Sequence, residues 1–318
     1  MRPLRLLFFG TPEFAVPSLR ELLSAGHAVV GVVTQPDRPR GRGQKTSASP
    51  VKAFAASRGL QVFQPDRLKD EAVVSQLGSL APDLGIVAAY GKILPPSILA
   101  VPRLGLINVH ASLLPRWRGA APVHRAVMAG DAETGVSIMR VVQALDEGGV
   151  YSVARRPIGG DETSEEVEAD LAELGARLLA PVVEALAGGT AVDRPQETAG
   201  VTYAPRLSRG DGLIGWTGPA AAIHNQVRGL HPWPHAWTFL SGTRVIILRS
   251  AVSGDDPDVP AAVRPGEITR IGPSALLVAA GDGRPLRLLR LQAEGRRAVT
   301  AREFAAGARL AVGDWFGG

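Results

Sequence analysis

Residues 4–34, LRLLFFGTPEFAVPSLRELLSAGHAVVGVVT, contain the unit on which the fold prediction rests. An apolar run from Leu4 to Phe9 precedes apolar residues at helical spacing from Val16 to Ala25, and a second apolar run extends from Ala28 to Thr34. Short apolar runs are typical of strands buried on both faces, and a helix between two of them favours parallel pairing. The stretch therefore predicts the start of an α/β domain with a mainly parallel sheet.

The same signal recurs further along the chain. Additional strands are predicted over Leu84–Tyr90, Gly105–His110 and Gly135–Val142. Acidic residues followed by apolar residues at helical spacing predict a closing helix over Thr163–Leu186. Gly and Pro interrupt this pattern from Gly188 onward, so we expect a linker near residues 190–206.

The part of the chain beyond the linker shows a different pattern. One helical stretch, Pro219–Gly229, precedes short β-rich runs that are separated by Gly and Pro turns. These runs are Thr243–Leu248, Ala275–Ala279 and Leu286–Leu291. Because 318 residues fit two domains, we expect a doubly wound, mainly parallel α/β domain over residues 1–206. A smaller C-terminal β-barrel of the OB type should follow over residues 207–318.

Composition limits the class of protein. The chain is 45% hydrophobic and 20% charged, as globular proteins are, and it contains no Cys. A disulfide framework, a thiolate metal site and a thiol nucleophile are therefore excluded, and a reducing compartment suits the chain. Gly10 ends the first apolar run early, and no apolar stretch reaches about 20 residues. We expect a cytoplasmic location and no membrane partner.

Charge is concentrated in the C-terminal third. Of the net charge of +5, residues 207–318 contribute +4, with 13 basic and 9 acidic residues. Such an excess indicates a polyanionic partner. However, only 4 Lys accompany 31 Arg, so a bias of composition explains the charge equally well.

Motifs for nucleotide cofactors and metals do not occur. The turn at residues 10–13 is Gly-Thr-Pro-Glu, not G-x-G-x-x-G, and residues 41–46 lack the G-K-[ST] core of a phosphate loop. His231 and His235 are four residues apart, but Pro232 and Pro234 prevent the helix that would align two metal ligands. We expect no metal and no nucleotide cofactor.

A candidate site lies at the end of the strand predicted over Gly105–His110. Asn108 and His110 are two residues apart, so their side chains share one face of the sheet at the end where open α/β sheets bind ligands. An amide donor beside an imidazole suits acyl transfer, in which a carbonyl oxygen becomes an oxyanion. Asp146 follows the next apolar strand, where it would pair with His110 and accept a proton. The alternative is structural hydrogen bonding at a strand end without catalysis.

Long segments that span almost the whole chain carry a resemblance. They are FFGTPEFAVPSL (8–19), TQPDRPRGRGQK (34–45), PDLGIVAAYGKILP (82–95), INVHASLLPRWRGAAP (107–122), GDAETGVSIM (130–139), TYAP (202–205), IHNQVRG (223–229) and PWP (232–234). Through them the chain resembles the methionyl-tRNA formyltransferases, which belong to the folate-dependent formyltransferase family. Matches of this number and length exclude chance.

The resemblance implies a substrate pair and a catalytic trio. The co-substrate would be 10-formyltetrahydrofolate, without a metal, and the acceptor would be the α-amine of methionine on initiator tRNA. Formylmethionyl-tRNA for translation initiation would be the product, and a monomer is expected. Asn108 and His110 would stabilise the oxyanion, and Asp146 would manage the proton.

The resemblance also implies binding residues. Ser112, Leu113, Leu114 and Pro115 would line the pocket for the pterin, and the backbone around Tyr90 and Gly91 would add to it. The tRNA acceptor stem would meet a basic loop through Arg38, Arg40, Arg42 and Lys45, with Arg42 as the main wedge or phosphate contact. Arg and Lys suit phosphates, although an exposed, solvated connection would have the same composition.

Two segments depart from the family pattern. Residues 144–149 read Ala-Leu-Asp-Glu-Gly-Gly where the family usually has Gly-Leu-Asp-Thr-Gly-Asp, which puts Glu147 beside Asp146. Residues 207–216, LSRGDGLIGW, replace a helix start rich in Lys and Glu.

Other functions remain open at this point. One group of alternatives comprises formyltransferases acting on a ribotide or a sugar nucleotide, and a formylfolate hydrolase. Another is a non-catalytic RNA-binding translation protein. The C-terminal segments and the basic loop favour a tRNA acceptor, and the presence of the complete trio favours catalysis.

Overall fold

The computed structural model describes residues 3–40, 45–252, 254, 256, 259–260 and 262–317. These residues form two compact units, and each unit draws on separated parts of the chain. The first comprises the residues up to Pro122, Glu133–Arg156 and Glu168–Ala204. The second comprises Val123–Ala132, Pro157–Val167 and the chain from Pro205 onward.

Strands and helices alternate in the N-terminal part of the chain. The strands are β1 (Arg5–Gly10), β2 (Ala28–Val33), β3 (Arg38–Arg40), β4 (Lys45–Ser47), β5 (Val62–Phe63), β6 (Leu84–Ala88), β7 (Leu106–His110), β8 (Arg118–Gly119), β9 (Glu133–Arg140), β10 (Val150–Pro157) and β11 (Tyr203–Ala204). The helices are α1 (Val16–Ser24), α2 (Pro50–Ser57), α3 (Glu71–Ser79), α4 (Pro96–Leu99), α5 (Pro122–Ala129) and α6 (Ser164–Ala187). No helix in the described part of the chain is long and apolar enough to cross a bilayer.

A seven-stranded sheet forms the centre of the first unit. Its order is β10-β9-β7-β6-β1-β2-β5, with parallel pairing from β7 through β6, β1 and β2 to β5 and antiparallel pairing of β7 with β9. Strand β1 lies between two parallel neighbours, and its residues from Leu6 to Phe9 are completely buried. The mainly parallel α/β fold predicted from the apolar runs is confirmed.

Strand β7 places two polar residues on one face of this sheet. Between them, Val109 faces α6, because a Cβ added at Gly175 of that helix would lie 2.7 Å from Val109 Cγ1. On the opposite face, Leu106 belongs to a buried cluster that includes Phe9 and Tyr90. Asn108 and His110 alternate with Val109, so they lie on the face away from α6.

The described residues from Pro219 onward, which belong to the second unit, form an antiparallel sheet and two helices. These elements are α7 (Ala220–Gly229), β12 (Ala236–Leu240), β13 (Thr243–Ala251), β14 (Ile268–Ile271), β15 (Leu276–Ala279), β16 (Pro285–Ala293), β17 (Val299–Thr300) and α8 (Ala301–Ala308). The strand order is β12-β13-β16-β15-β14, and β17 pairs with β16.

The chain near its C-terminus joins the two edges of this sheet. Phe316 forms a bridge with Leu240 in β12, and Trp315 forms one with Glu267 just before β14. Backbone N–H groups of Phe316 and Gly317 donate to the carbonyls of Gly266 (2.8 Å) and Phe239 (2.9 Å). Because both edges pair with one segment, the sheet closes as a barrel does, as the sequence predicted.

The unusual segment at residues 207–216 also has a defined structure. A short 3-10 helix spans Arg209–Gly212, and the Asp211 carboxylate accepts hydrogen bonds from the Ser208 backbone N–H (2.7 Å) and hydroxyl (2.8 Å). Asp211 also pairs with Arg125 at 2.9 Å. Trp216 is buried, and its indole donates to the Thr238 hydroxyl at 3.0 Å.

Helix α7 holds the segment Pro157–Val167 within the second unit. Arg228 donates to the carbonyls of Gly159 and Glu162, both at 3.1 Å. His224 Nε2 donates to the Gly160 carbonyl at 2.9 Å, and burial lowers the pKa of this imidazole. The Ser164 hydroxyl donates to the Gly229 carbonyl at 2.7 Å. The IHNQVRG motif therefore has a structural use, because its polar groups satisfy an otherwise irregular segment.

The domain boundary at residues 206 and 207 stays a prediction. The division into compact units also differs from a single cut along the sequence. The segments 123–132 and 157–167 precede the expected boundary but pack with the residues that follow it.

Arg228 provides a test of this packing. Replacing it by Met keeps the apolar stem but removes the guanidinium, so two carbonyls lose a charge-assisted donor. We expect Arg228→Met to lower the free energy of unfolding by about 2–4 kcal/mol in urea denaturation. Arg290→Met is the matched control, because Arg290 is exposed in β16, and it should change stability by less than about 0.5 kcal/mol. Equal effects of the two substitutions would contradict the role of α7.

Candidate active site

His110 is fixed by two contacts at the end of β7. Only 5% of its side chain is exposed. Its Nε2 lies 3.0 Å from the Trp117 carbonyl oxygen, which accepts but cannot donate, so Nε2 carries the hydrogen. Nδ1 lies 3.8 Å from Asp146 Oδ2. Nδ1 therefore faces the carboxylate and carries a hydrogen only when the ring is protonated.

Asp146 is held by its side chain and by its backbone. The Gly119 backbone N–H donates to Asp146 Oδ2 at 2.8 Å. Asp146 itself has a φ of +50°, a left-handed backbone conformation that residues other than Gly rarely adopt. Such strain persists only where surrounding contacts impose it, which is common at functional sites.

Asn108 completes the group predicted from sequence. It is half-buried on the face of β7 that also carries His110. Within the described residues, no group forms a hydrogen bond with the Asn108 side-chain amide. The amide therefore keeps both of its N–H groups for a ligand.

Arg118 neutralises the charge that Glu147 adds to the Asp146 loop. The Arg118 side chain is 8% exposed, and its Nη1 lies 2.9 Å from Glu147 Oε1. Its Nε and Nη2 donate to Gln196 Oε1 at 3.2 and 2.9 Å. The Gln196 amide nitrogen donates in turn to the carbonyls of Asp146 (2.7 Å) and Gly148 (2.8 Å). The departure at Glu147 thus has a basic partner in this chain.

The loop that follows His110 is internally bonded. The Ser112 side chain is completely buried, and its hydroxyl donates to the Arg116 carbonyl at 2.6 Å. The Ser137 hydroxyl donates to the Ser112 carbonyl at 2.8 Å and accepts from the Leu114 N–H at 3.2 Å. Ser112 therefore shapes the loop, and Leu113, Leu114 and Pro115 are half-buried.

The Tyr90 side chain lies in the core of the first unit. Its ring packs edge-on against Phe9 at 5.6 Å, and burial raises the pKa of its phenol to about 12. The Tyr90 carbonyl accepts from the Thr11 hydroxyl (3.2 Å) and the Gln35 amide (2.9 Å). Gly91 is exposed with a φ of +81°.

The basic loop is described in part. Strands β3 and β4 pair antiparallel through the backbones of Arg38, Arg40 and Lys45. The side chains of these three residues, and the whole of Arg42, lie outside the described part of the chain. Before the loop, Asp37 forms an ion pair with Lys52 and accepts from Gln64 at 2.8 Å. The bond with Lys52 is the main reason that the pKa of Asp37 is lowered.

The structure thus brings His110 and Asp146 together. It also shows groups that hold these two residues in place and that the residue types did not indicate. These are the backbone groups of Trp117 and Gly119 and the side chains of Arg118 and Gln196. The first three belong to the RWRG segment, whereas no pattern singled out Gln196. Within the described ranges, no three His, Cys, Asp or Glu side chains are grouped as a metal site requires.

Comparisons with known proteins cover both parts of the chain. The family model described as formyl transferase matches residues 4–183, and the model described as formyl transferase, C-terminal domain, matches residues 206–309. The methionyl-tRNA formyltransferase of Symbiobacterium thermophilum is 48% identical over 314 residues, which cover 98% of this chain and 95% of that protein. The protein of the same name from Geobacter sulfurreducens is 44% identical over 317 residues, which cover 100% and 98%.

Solved structures share the fold at low identity. WlaRD, a sugar 3N-formyl transferase studied with dTDP and 5-N-formyl-THF, has a TM-score of 0.68 at 16% identity and covers 93% of this chain and 100% of its own. HypX from Aquifex aeolicus in complex with tetrahydrofolic acid has a TM-score of 0.65 at 15% identity, over 98% of this chain and 48% of its own. These likenesses show the fold alone.

Two neighbouring glycines test the geometry of the Asp146 loop. A Cβ at Gly148 would overlap the backbone carbonyl of Arg140, whereas a Cβ at Gly149 would overlap only the Asp193 carboxylate. Backbone cannot yield as a side chain can, so Gly148→Ala should cost about 1–3 kcal/mol of unfolding free energy. Gly149→Ala should cost less, because it disturbs only the partly exposed Asp193–Arg140 ion pair. Urea denaturation would measure both, and the reverse order would contradict the loop geometry.

Proposed function

The chain belongs to the formyl transferase family, and from that premise we propose that Asn108, His110 and Asp146 carry out its chemistry. The reaction transfers the formyl group of 10-formyltetrahydrofolate to the α-amine of methionine on initiator tRNA. The observation that carries this proposal is the fixed geometry of the His110–Asp146 pair beside an amide that has no partner among the described residues.

The choice of acceptor rests on the relatives. Proteins named methionyl-tRNA formyltransferase match the chain from end to end at 44–48% identity. The sugar formyltransferases align at only 16% and support no acceptor. A role in translation initiation agrees with the basic C-terminal third and implies a cytoplasmic reaction. A monomeric state remains part of the proposal.

In the mechanism, two donors receive the charge that develops on the formyl oxygen. When the amine lone pair attacks the formyl carbon, the carbonyl π electrons move to oxygen. The free amide of Asn108 donates to this oxyanion. His110 donates through Nδ1, because Nε2 is already committed to the Trp117 carbonyl. Donation therefore needs the imidazolium, whose charge the Asp146 carboxylate balances across 3.8 Å.

Asp146 is the proposed acceptor of the proton that the amine loses. The attacking nitrogen gains positive charge as the new N–C bond forms, and the carboxylate accepts the proton that it loses. Collapse of the oxyanion breaks the bond to the folate nitrogen, which leaves with that proton. The Gly119 N–H keeps the carboxylate in place throughout.

A folate pocket beside the trio is part of the proposal. Leu113, Leu114 and Pro115 are half-buried, so they offer apolar surface to the flat pterin. Ser112 supports this surface through its own hydrogen bonds, and Tyr90 and Gly91 would contribute backbone. This fit concerns shape and polarity only, and direct binding of tetrahydrofolate would test it.

Formation of acid-stable formylmethionine from 10-formyltetrahydrofolate and methionyl initiator tRNA tests the reaction itself. Asn108→Ala and His110→Ala should each lower kcat by about 100- to 1,000-fold, the usual effect of losing one oxyanion donor. Asp146→Asn should remove most turnover while tetrahydrofolate still binds, because an amide keeps the shape but accepts no proton. Gln143→Ala, at an exposed position nearby, is the control. Near-normal turnover of any trio variant would contradict its assigned role.

The basic loop leads to a separate prediction for tRNA. Arg40→Ala/Arg42→Ala should raise the KM for tRNA and leave folate binding unchanged, since only the polyanion loses contacts. The dependence of log affinity on log salt should become shallower by about 1–2 units. Arg67→Ala/Arg177→Ala removes the same charge from exposed positions elsewhere and should leave the slope near that of the unaltered protein. Identical kinetics and slopes for both double variants would make the loop a solvated connection.

A further inference from the structure

The segment 193–196, part of the expected linker, is bonded to the loop that carries Asp146. Asp193 forms a two-point ion pair with Arg140, at 2.9 and 2.8 Å. Arg194 and Val150 exchange backbone hydrogen bonds of 2.8 and 3.0 Å. Arg140 ends β9 and Val150 begins β10, so these residues mark the two ends of the loop. The segment therefore runs alongside the loop as a support.

Gln196 reaches the middle of the same loop. Both hydrogens of its amide nitrogen are used, one by the Asp146 carbonyl at 2.7 Å and one by the Gly148 carbonyl at 2.8 Å. A single side chain thus bridges two backbone carbonyls of the loop, one before Glu147 and one after it. This bridge lies where the backbone is strained, since Asp146 has a φ of +50°. A fixed partner for both carbonyls offsets the cost of that conformation.

We propose that Gln196 is a positioning residue for Asp146 in the formyl-transfer reaction, which rests on the proposed function of that carboxylate. Gln196 fixes the Asp146 backbone through its carbonyl, and the Gly119 N–H fixes the side chain through Oδ2 at 2.8 Å. Two fixed points on one residue determine where the carboxylate lies and which way it faces. Proton transfer depends on both quantities, because a displacement of about 1 Å can cost 100-fold in rate.

Arg118 orients the Gln196 amide. The guanidinium donates to Gln196 Oε1 through Nε and Nη2, so the oxygen must face Arg118 and the nitrogen must face the loop. Arg118 immediately precedes Gly119. Hydrogen bonds therefore connect Arg118 to Gln196, Gln196 to Asp146, and Asp146 to Gly119. The peptide bond between Gly119 and Arg118 closes this ring of contacts.

The competing explanation is that Gln196 serves only Arg118. In that case its oxygen would matter, as an acceptor for a nearly buried guanidinium, and its two donated hydrogen bonds would not. Two isosteric substitutions separate these roles. Gln196→Met removes both functions, whereas Gln196→Glu keeps an acceptor for Arg118 but turns oxygen toward the carbonyls of Asp146 and Gly148.

Steady-state formylation by the full chain is the first measurement. We expect Gln196→Met and Gln196→Glu to lower kcat by about 10- to 100-fold, with KM values for folate and tRNA near those of the unaltered protein. Glu197→Gln, at the exposed neighbouring position, should retain normal kcat. Near-normal kcat in Gln196→Glu would overturn the proposal, because the donated bonds would then be dispensable.

A second measurement tests the coupling to Asp146. Since Gln196 acts through Asp146, adding Gln196→Glu to Asp146→Asn should lower the residual rate little further. Multiplication of the two single effects would overturn the proposal.

Hydrogen exchange at the Gly119 amide gives a readout that needs no turnover. The N–H is protected by Asp146 Oδ2, so Gln196→Glu should speed its exchange while amides in β7 keep their protection. Unchanged exchange would overturn the positioning role. Absence of formylation by the unaltered protein would instead contradict the proposed function. Faster exchange in Gln196→Glu would then show that Gln196 positions Asp146 without a role in formyl transfer.

Discussion

The geometry of the candidate site depends on three consecutive residues, Trp117, Arg118 and Gly119. The Trp117 carbonyl sets the tautomer of His110, and the Gly119 N–H fixes the Asp146 carboxylate. Backbone groups can perform both tasks only if this short strand is itself immobile. Thr202 achieves that, since its hydroxyl accepts from the Trp117 N–H at 2.8 Å and its carbonyl accepts from the Arg118 N–H at 2.9 Å.

Polar contacts of buried arginines hold two irregular segments of this protein. Arg118 and Arg228 are both nearly buried, and each uses several N–H groups to satisfy oxygens from different stretches of chain. A planar guanidinium suits this task because its donors diverge in one plane and its charge strengthens each bond. The cost of burying the charge is offset only when these partners are present.

Sequence patterns predicted elements whose burial is continuous. The runs at β1, β6 and β7 and the helical spacing of α6 indicated their elements. Residue types at strand ends suggested the proposed trio, and the family resemblance assigned its roles. Strand β10 was missed because its residues alternate between half-buried and exposed, as at a sheet edge. Gln196 was missed for another reason. Its partners lie about 50 residues away, and a lone Gln between Pro and Glu has no periodicity to reveal such a contact.

Residues 193–196 are both part of the expected linker and a support of the Asp146 loop. This affects where the domains of such proteins can be exchanged in chimeras. A chain that joins two domains is the natural crossover point for chimeras, because its sequence is usually free to drift. Here residues 193–196 are not free to change, since they are hydrogen-bonded to the loop that carries Asp146. A chimera with a foreign C-terminal barrel would have to retain this strip and replace segments 123–132 and 157–167 together with the barrel. The segments that encode the two units therefore alternate along the gene, and no single cut in the sequence separates one unit from the other.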